Sequence, residues 1–76
     1  MLKELVEHVA KSLVNHPDEV RVEEEVEGTH IMLRLSVAPD DMGKVIGKQG
    51  RIAKAIRTVA KAAAARENVK VSVEIV

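Results

Sequence analysis

The sequence predicts an α+β fold, a three-stranded sheet covered on one face by helices, in the order helix, strand, strand, short helix, helix, strand. Three observations carry this. Apolar residues recur at three- and four-residue steps over 2–14 and 52–63. They alternate every second residue over 31–37 and 69–75 and, less regularly, over 20–26. A pair of glycines, Gly47 and Gly50, separates two helical stretches.

In the first helix Leu2, Leu5, Val6, Val9, Ala10, Leu13 and Val14 share one face. Asn15, His16 and Pro17 end it, because proline disfavours helical geometry in the residue before it and has no N–H to donate. Val20, Val22 and Val26 then alternate with Arg21, Glu23, Glu25 and Glu27, the pattern of a half-buried strand. Glu24 falls on its apolar face, which requires a frayed end, a bulge or a sheet edge where the carboxylate reaches water. Glu27-Gly28 turns the chain into a second strand, with Ile31, Leu33, Leu35 and Val37 on one face, and the two strands form a hairpin.

Pro39-Asp40-Asp41 stops the second strand and is expected to cap a short helical turn through Met42 to Ile46. After Gly47-Lys48-Gln49-Gly50 a long helix runs from Arg51 to about Arg66, with Ile52, Ala53, Ile56, Val59, Ala60 and Ala63 in one sector. Arg51, Lys54, Arg57 and Lys61 lie roughly opposite. Asn68 marks the end, and Val69, Val71, Val73 and Ile75 form the third strand.

Composition narrows the function. With 76 residues there is room for one small domain, residues 1–76, and little for a deep catalytic cavity. Cysteine is absent, which excludes disulfides, thiolate zinc sites and thiol catalysis and makes the cytoplasm the default compartment. No membrane span or export signal is legible. His8, His16 and His30 lack a spacing that would place two on one metal, and no cofactor is expected. Phe, Tyr and Trp are absent, so nucleic-acid binding could not use aromatic stacking platforms.

The formal net charge of zero hides a division. Residues 1–41 carry four basic and ten acidic side chains, a net of −6, and residues 42–76 carry eight and two, a net of +6. Lys44, Lys48, Arg51, Lys54, Arg57, Lys61 and Arg66 follow one another with no acid between Met42 and Arg66. Glu23, Glu24, Glu25 and Glu27 cannot converge on a cation, because neighbours in a strand face opposite ways. They read as solubility, repulsion of a misplaced polyanion, or a surface for a basic partner.

The informative constellation is Val45-Ile46-Gly47-Lys48-Gln49-Gly50-Arg51. Glycine admits turns barred to other residues and lets another backbone approach closely, while N–H groups at a helix start attract phosphate. Lys48, Arg51 and Lys54 add charge there, so an anionic chain is favoured over this loop. Lys48 and Arg51 read as phosphate contacts; for Arg57 and Lys61, phosphate contact and a solvated helix face both remain open.

Val45-Ile46-Gly47-Lys48-Gln49-Gly50 resembles the V-I-G-x-x-G signature of KH domains, whose Gly-x-x-Gly loop clamps about four single-stranded nucleotides. The element order is similar to the type II, prokaryotic KH fold. The continuation Arg51-Ile52-Ala53-Lys54-Ala55-Ile56-Arg57 and the single first helix look like the small bacterial single-KH proteins of the KhpA type. Many KH domains carry a larger aliphatic residue where this chain has Ala53.

The resemblance implies a non-enzymatic single-stranded RNA-binding protein, a post-transcriptional regulator or RNA chaperone connected with cell shape. Gly47, Lys48, Gln49 and Gly50 would contact the sugar-phosphate chain, Arg51 and Lys54 would add charge, and Val45 and Ile46 would floor the groove. It also implies a homodimer and a larger KH-containing, Jag-type protein partner. Single-stranded DNA remains open as a ligand. The competing reading is a protein-interaction or scaffolding module whose nucleic-acid contact is incidental. A nucleotide-hydrolysing P-loop fails on spacing and on the lack of Ser or Thr after Lys48.

Overall fold

The computed structural model of the chain describes residues 2–76. In helix α1 (Leu2–Leu13) the buried residues are Leu2, Val6 and Ala10, at successive four-residue steps that stack on one helix face. Pro17 then opens a single 3-10 turn, Pro17–Glu19, closed by Val20 N–H donating to Pro17 O at 3.2 Å. Strands β1 (Arg21–Glu27) and β2 (His30–Ser36) pair antiparallel, with Val22 opposite Leu35, Glu24 opposite Leu33 and Val26 opposite Ile31. Gly28 turns the hairpin with φ +58°, a conformation favouring glycine.

Strand β3 (Lys70–Ile75) pairs parallel to β2, so the order is β1-β2-β3, with β2 central and β1 and β3 at the edges. A parallel pairing requires a long crossover, which is helix α2 (Pro39–Arg66), broken at Gly47–Gly50 into arms 39–46 and 51–66. Asn68 closes the second arm in the left-handed conformation, φ +58°, while Val69 N–H donates to Ala64 O at 3.1 Å. These are the elements of a Schellman stop.

All helices pack on one sheet face. Helix α1 lies against α2 and β1, and α2 against β3. Leu33, Leu35, Ile56, Val6 and Val45 are its largest fully buried apolar side chains, and Ala10, Ala53, Ala60 and Ala64 let the helices approach. Full burial of a residue such as Ile56 contributes about 1.5–3 kcal/mol, a large share of a small domain's stability. On the opposite sheet face Arg34 bridges Glu25 at 2.9 Å and Glu74 at 3.6 Å.

Two expectations require correction. Val26, expected on the buried face, is 60% exposed, whereas Val22 on the same face is 6% exposed. The hairpin end beside Gly28 runs out from under the helices. Glu24 is exposed on the edge strand β1, the expected route to water. The second correction concerns the cap. Helix α2 starts at Pro39 with Ala38 as N-cap residue and no side-chain cap bond, so Asp40 and Asp41 lie inside the helix.

Asp41 instead turns back, fully buried, to the exit of α1. Its Oδ1 accepts the Asn15 N–H at 3.0 Å and its Oδ2 the His16 N–H at 2.9 Å. Burial, the largest influence, pushes its pKa up; the two N–H donors and the His16 and Lys44 charges outweigh it and hold the carboxyl below its ordinary value.

Candidate nucleic-acid interface

The break in α2 has an unusual backbone. Gly47 is at φ −71°, ψ −178°, and the next three residues are left-handed: Lys48 at φ 52°, Gln49 at φ 63° and Gly50 at φ 69°. For Lys48 and Gln49 that conformation costs about 1–2 kcal/mol each, because the Cβ crowds the following carbonyl. The loop is a place where strain is held by the two flanking arms. Gly50 needs its positive φ, but Gly47 does not, and a Cβ at Gly47 would meet nothing within 4 Å.

Beside the break lies a cleft of about 370 Å³ lined by Gly43, Lys44, Gly47, Lys48, Arg51 and Ile52. Of the sequence-expected residues, the cleft brings together Gly47, Lys48 and Arg51. Gln49 and Lys54 are exposed nearby without lining it, and Gly50 is half-buried. Ile46 is 54% exposed, available to an aliphatic groove. Val45, expected on the groove floor, is 0% exposed and belongs to the core, so it presents no accessible surface to the cleft.

Gly43, Lys44 and Ile52 are the cleft residues absent from the site expected from sequence. The signal for Lys44 was its place in the acid-free basic segment, three residues before Gly47. Farther along the second arm, Arg57 Nε donates to Val73 O at 3.3 Å. Arg57, Lys61, Val71, Ser72 and Val73 line a further cleft of about 220 Å³ between the arm and β3. Arg57 and Lys61 therefore face a groove beside the open edge of β3.

His16 Nε2 lies 3.8 Å from Asp40, and His30 Nε2 shares a hydrogen bond of 2.9 Å with Ser72 Oγ. Among the described residues no group of three His, Asp or Glu side chains could hold a metal ion, and no helix is long and apolar enough to cross a membrane.

A three-stranded mixed sheet with helices on one face, and a Gly-x-x-Gly break in the crossover helix beside an edge strand, define a KH domain with type II element order. The comparisons agree. The family described as KhpA/KhpB, KH domain, matches residues 3–75. The RNA-binding protein KhpA of Clostridium perfringens is 65% identical over 75 residues, 99% of this chain and 100% of that protein. That of Halalkalibacterium halodurans is 56% identical over 75 residues, 99% of each chain. That of Bacillus subtilis is 53% identical over 74 residues, 97% of this chain and 91% of that one.

Among solved structures, Era in complex with MgGDPNP and nucleotides 1506–1542 of 16S ribosomal RNA superposes with a TM-score of 0.70 at 19% identity, over 97% of this chain and 28% of that chain. This likeness concerns the fold alone. The chain belongs to the KhpA/KhpB family of KH domains. The relatives' name denotes binding, not catalysis.

Proposed function

We propose that residues 1–76 act as one KH module that binds single-stranded RNA, with the loop Gly47–Gly50 as the clamp on the sugar-phosphate chain. The observation that carries this reading is Gly47. Neither its φ nor its surroundings require glycine, so the missing side chain serves close approach by something outside the protein. Lys44, Lys48 and Arg51 supply positive charge around that approach, and a helix start supplies N–H groups and the positive dipole end. Ile46 and Ile52 offer aliphatic surface to bases, Lys54 adds charge nearby, and the open edge of β3 offers backbone groups to base edges. The name of the relatives, RNA-binding protein KhpA, supports RNA as the ligand.

A module clamping about four nucleotides binds weakly. Pairing with a second copy, or with a larger KH-containing Jag-type protein, raises the effective concentration of the second site. We therefore include a dimer or such a partnership in the reading, with a role in post-transcriptional regulation or RNA chaperoning in the cytoplasm.

The test is a fluorescence-anisotropy titration of a labelled random single-stranded RNA pool, and of matched single-stranded DNA, at two salt concentrations. Wild type is compared with Lys48→Asp/Gln49→Asp. Aspartate tolerates the left-handed region, so the variant is expected to fold, as circular dichroism would verify. Wild type is expected to bind RNA with a log–log salt slope of about −2, the value for three phosphate contacts on a single strand. The variant is expected to lose that binding. Equal binding by both proteins, or by neither, would overturn the clamp.

A further inference from the structure

The groove between the second arm of α2 and β3 does not stop at Arg57. A cavity of about 370 Å³ continues it, sharing Lys61, Val71 and Ser72 with the smaller cleft described above. Lys61 lies about 15 Å along the helix axis from Arg51, at a rise of 1.5 Å per residue. The continuation has the volume of a small-ligand site. Its polar lining is Lys61, Lys70 and the bonded pair His30 and Ser72. Ala65 and Val69 contribute apolar wall.

We infer that this far cavity is a base-reading subsite, in which the His30–Ser72 pair determines which base is accepted at a nucleotide beyond those held by the glycine loop. The inference rests on the RNA-binding reading above and adds the residues that set its specificity. Charge and chemistry favour a nucleotide as the occupant. Lys61 and Lys70 are among the lining residues and no carboxylate residue is, a charge balance that suits a phosphate on either side of the base. The aliphatic wall accepts a base face without an aromatic ring, and this chain has none.

The pair supplies the hydrogen-bonding edge. A serine hydroxyl has one donor and two acceptor positions and an imidazole has two nitrogens, so one bond between them leaves capacity for a base edge. His30 stands in register with Lys70 and Ser72 with Met32, so the bond reaches diagonally across the β2–β3 pairing and not to the residue opposite. Both side chains stand on the sheet face of Arg34 and Glu74, away from the helices, so the pair meets the cavity where it opens around the edge of β3.

The experiment uses the full chain and labelled RNA oligonucleotides of four to eight nucleotides, with each terminal position fixed in turn as A, C, G or U in an otherwise random pool. Wild type, His30→Ala, Ser72→Ala and the conservative His30→Gln are compared by anisotropy. The expected result is tighter wild-type binding once the RNA exceeds about four nucleotides, with a preference for one base of about three- to tenfold, the scale of one net hydrogen bond. His30→Ala and Ser72→Ala are expected to lose that preference while still binding four-nucleotide RNA, and His30→Gln to retain part of it. Unchanged preference in both alanine variants, or no wild-type gain beyond four nucleotides, would overturn the inference and leave the clamp standing. Failure of wild type to bind RNA of any length would overturn both.

Discussion

Along β1 the exposed charged side chains are Arg21, Glu23, Glu24, Glu25 and Glu27, whereas at the other edge of the same sheet β3 lies beside Arg57 and Lys61 and carries Lys70 and Glu74. Both strands have one open side and both pair with β2. They differ in what covers them: α1 rests on the start of β1 and leaves Val26 exposed, while α2 brings its basic arm along β3. A chain with no net charge thus presents an anion with one attractive edge and one repulsive edge. Net charge alone would have concealed this, because the two contributions cancel only when position is ignored.

Several changes would break or sharpen that contrast. The largest effect is expected from Ile56→Ala, which removes the side chain that holds the basic arm to the sheet. It should cost about 2–5 kcal/mol in a urea titration and weaken both edges together. Next is Lys44→Glu/Lys48→Glu, which reverses charge at the cleft and should weaken RNA binding about tenfold or more, with a small fall in urea midpoint because Lys44 helps keep Asp41 ionised. The mirror experiment, Glu23→Lys/Glu25→Lys, removes the repulsive edge. Nonspecific RNA binding at low salt is expected to rise about two- to threefold, and unchanged binding would mean that β1 plays no part in steering.

Asp41 tests the join behind both edges. Its folded-state pKa is lowered, so its contribution to stability is present above its unfolded value and is lost as pH falls through the folded one. Thermal unfolding of wild type is expected to weaken across that acid range, and Asp41→Asn to lower the melting temperature near neutral pH while flattening the acid decline. The smallest effect is expected from Arg34→Ala. It removes two exposed ion pairs on the sheet face away from the helices and should change stability by about 0–1 kcal/mol without altering RNA affinity.

How much of this was legible in the sequence follows from which signals are local. The four-residue steps of Leu2, Val6 and Ala10 and the alternation of Ile31, Leu33 and Leu35 each reflect a neighbour's own period, and those elements form as expected. Asn68 was readable as a stop because its preference for left-handed geometry is its own. The role of Asp41 was not, since its partners lie 25 and 26 residues away and a carboxylate near a helix start ordinarily caps it. Val26 reads like Val22 in sequence, and only the reach of the helical layer separates them. At the site, the glycine loop was visible as a motif. The burial of Val45 and the meeting of His30 with Ser72, 42 residues apart, depend on the tertiary fold.

The parallel pairing of β2 with β3 carries a further consequence, for the order of assembly. The β1–β2 hairpin closes through a short turn at Gly28, whereas β3 can join only after the 28-residue helix α2 has returned the chain to the sheet. The hairpin is therefore expected to form early and β3 to dock late and open most readily. Amide hydrogen exchange should show Val71 and Val73 less protected than Leu33 and Leu35, with bound RNA slowing exchange selectively in β3.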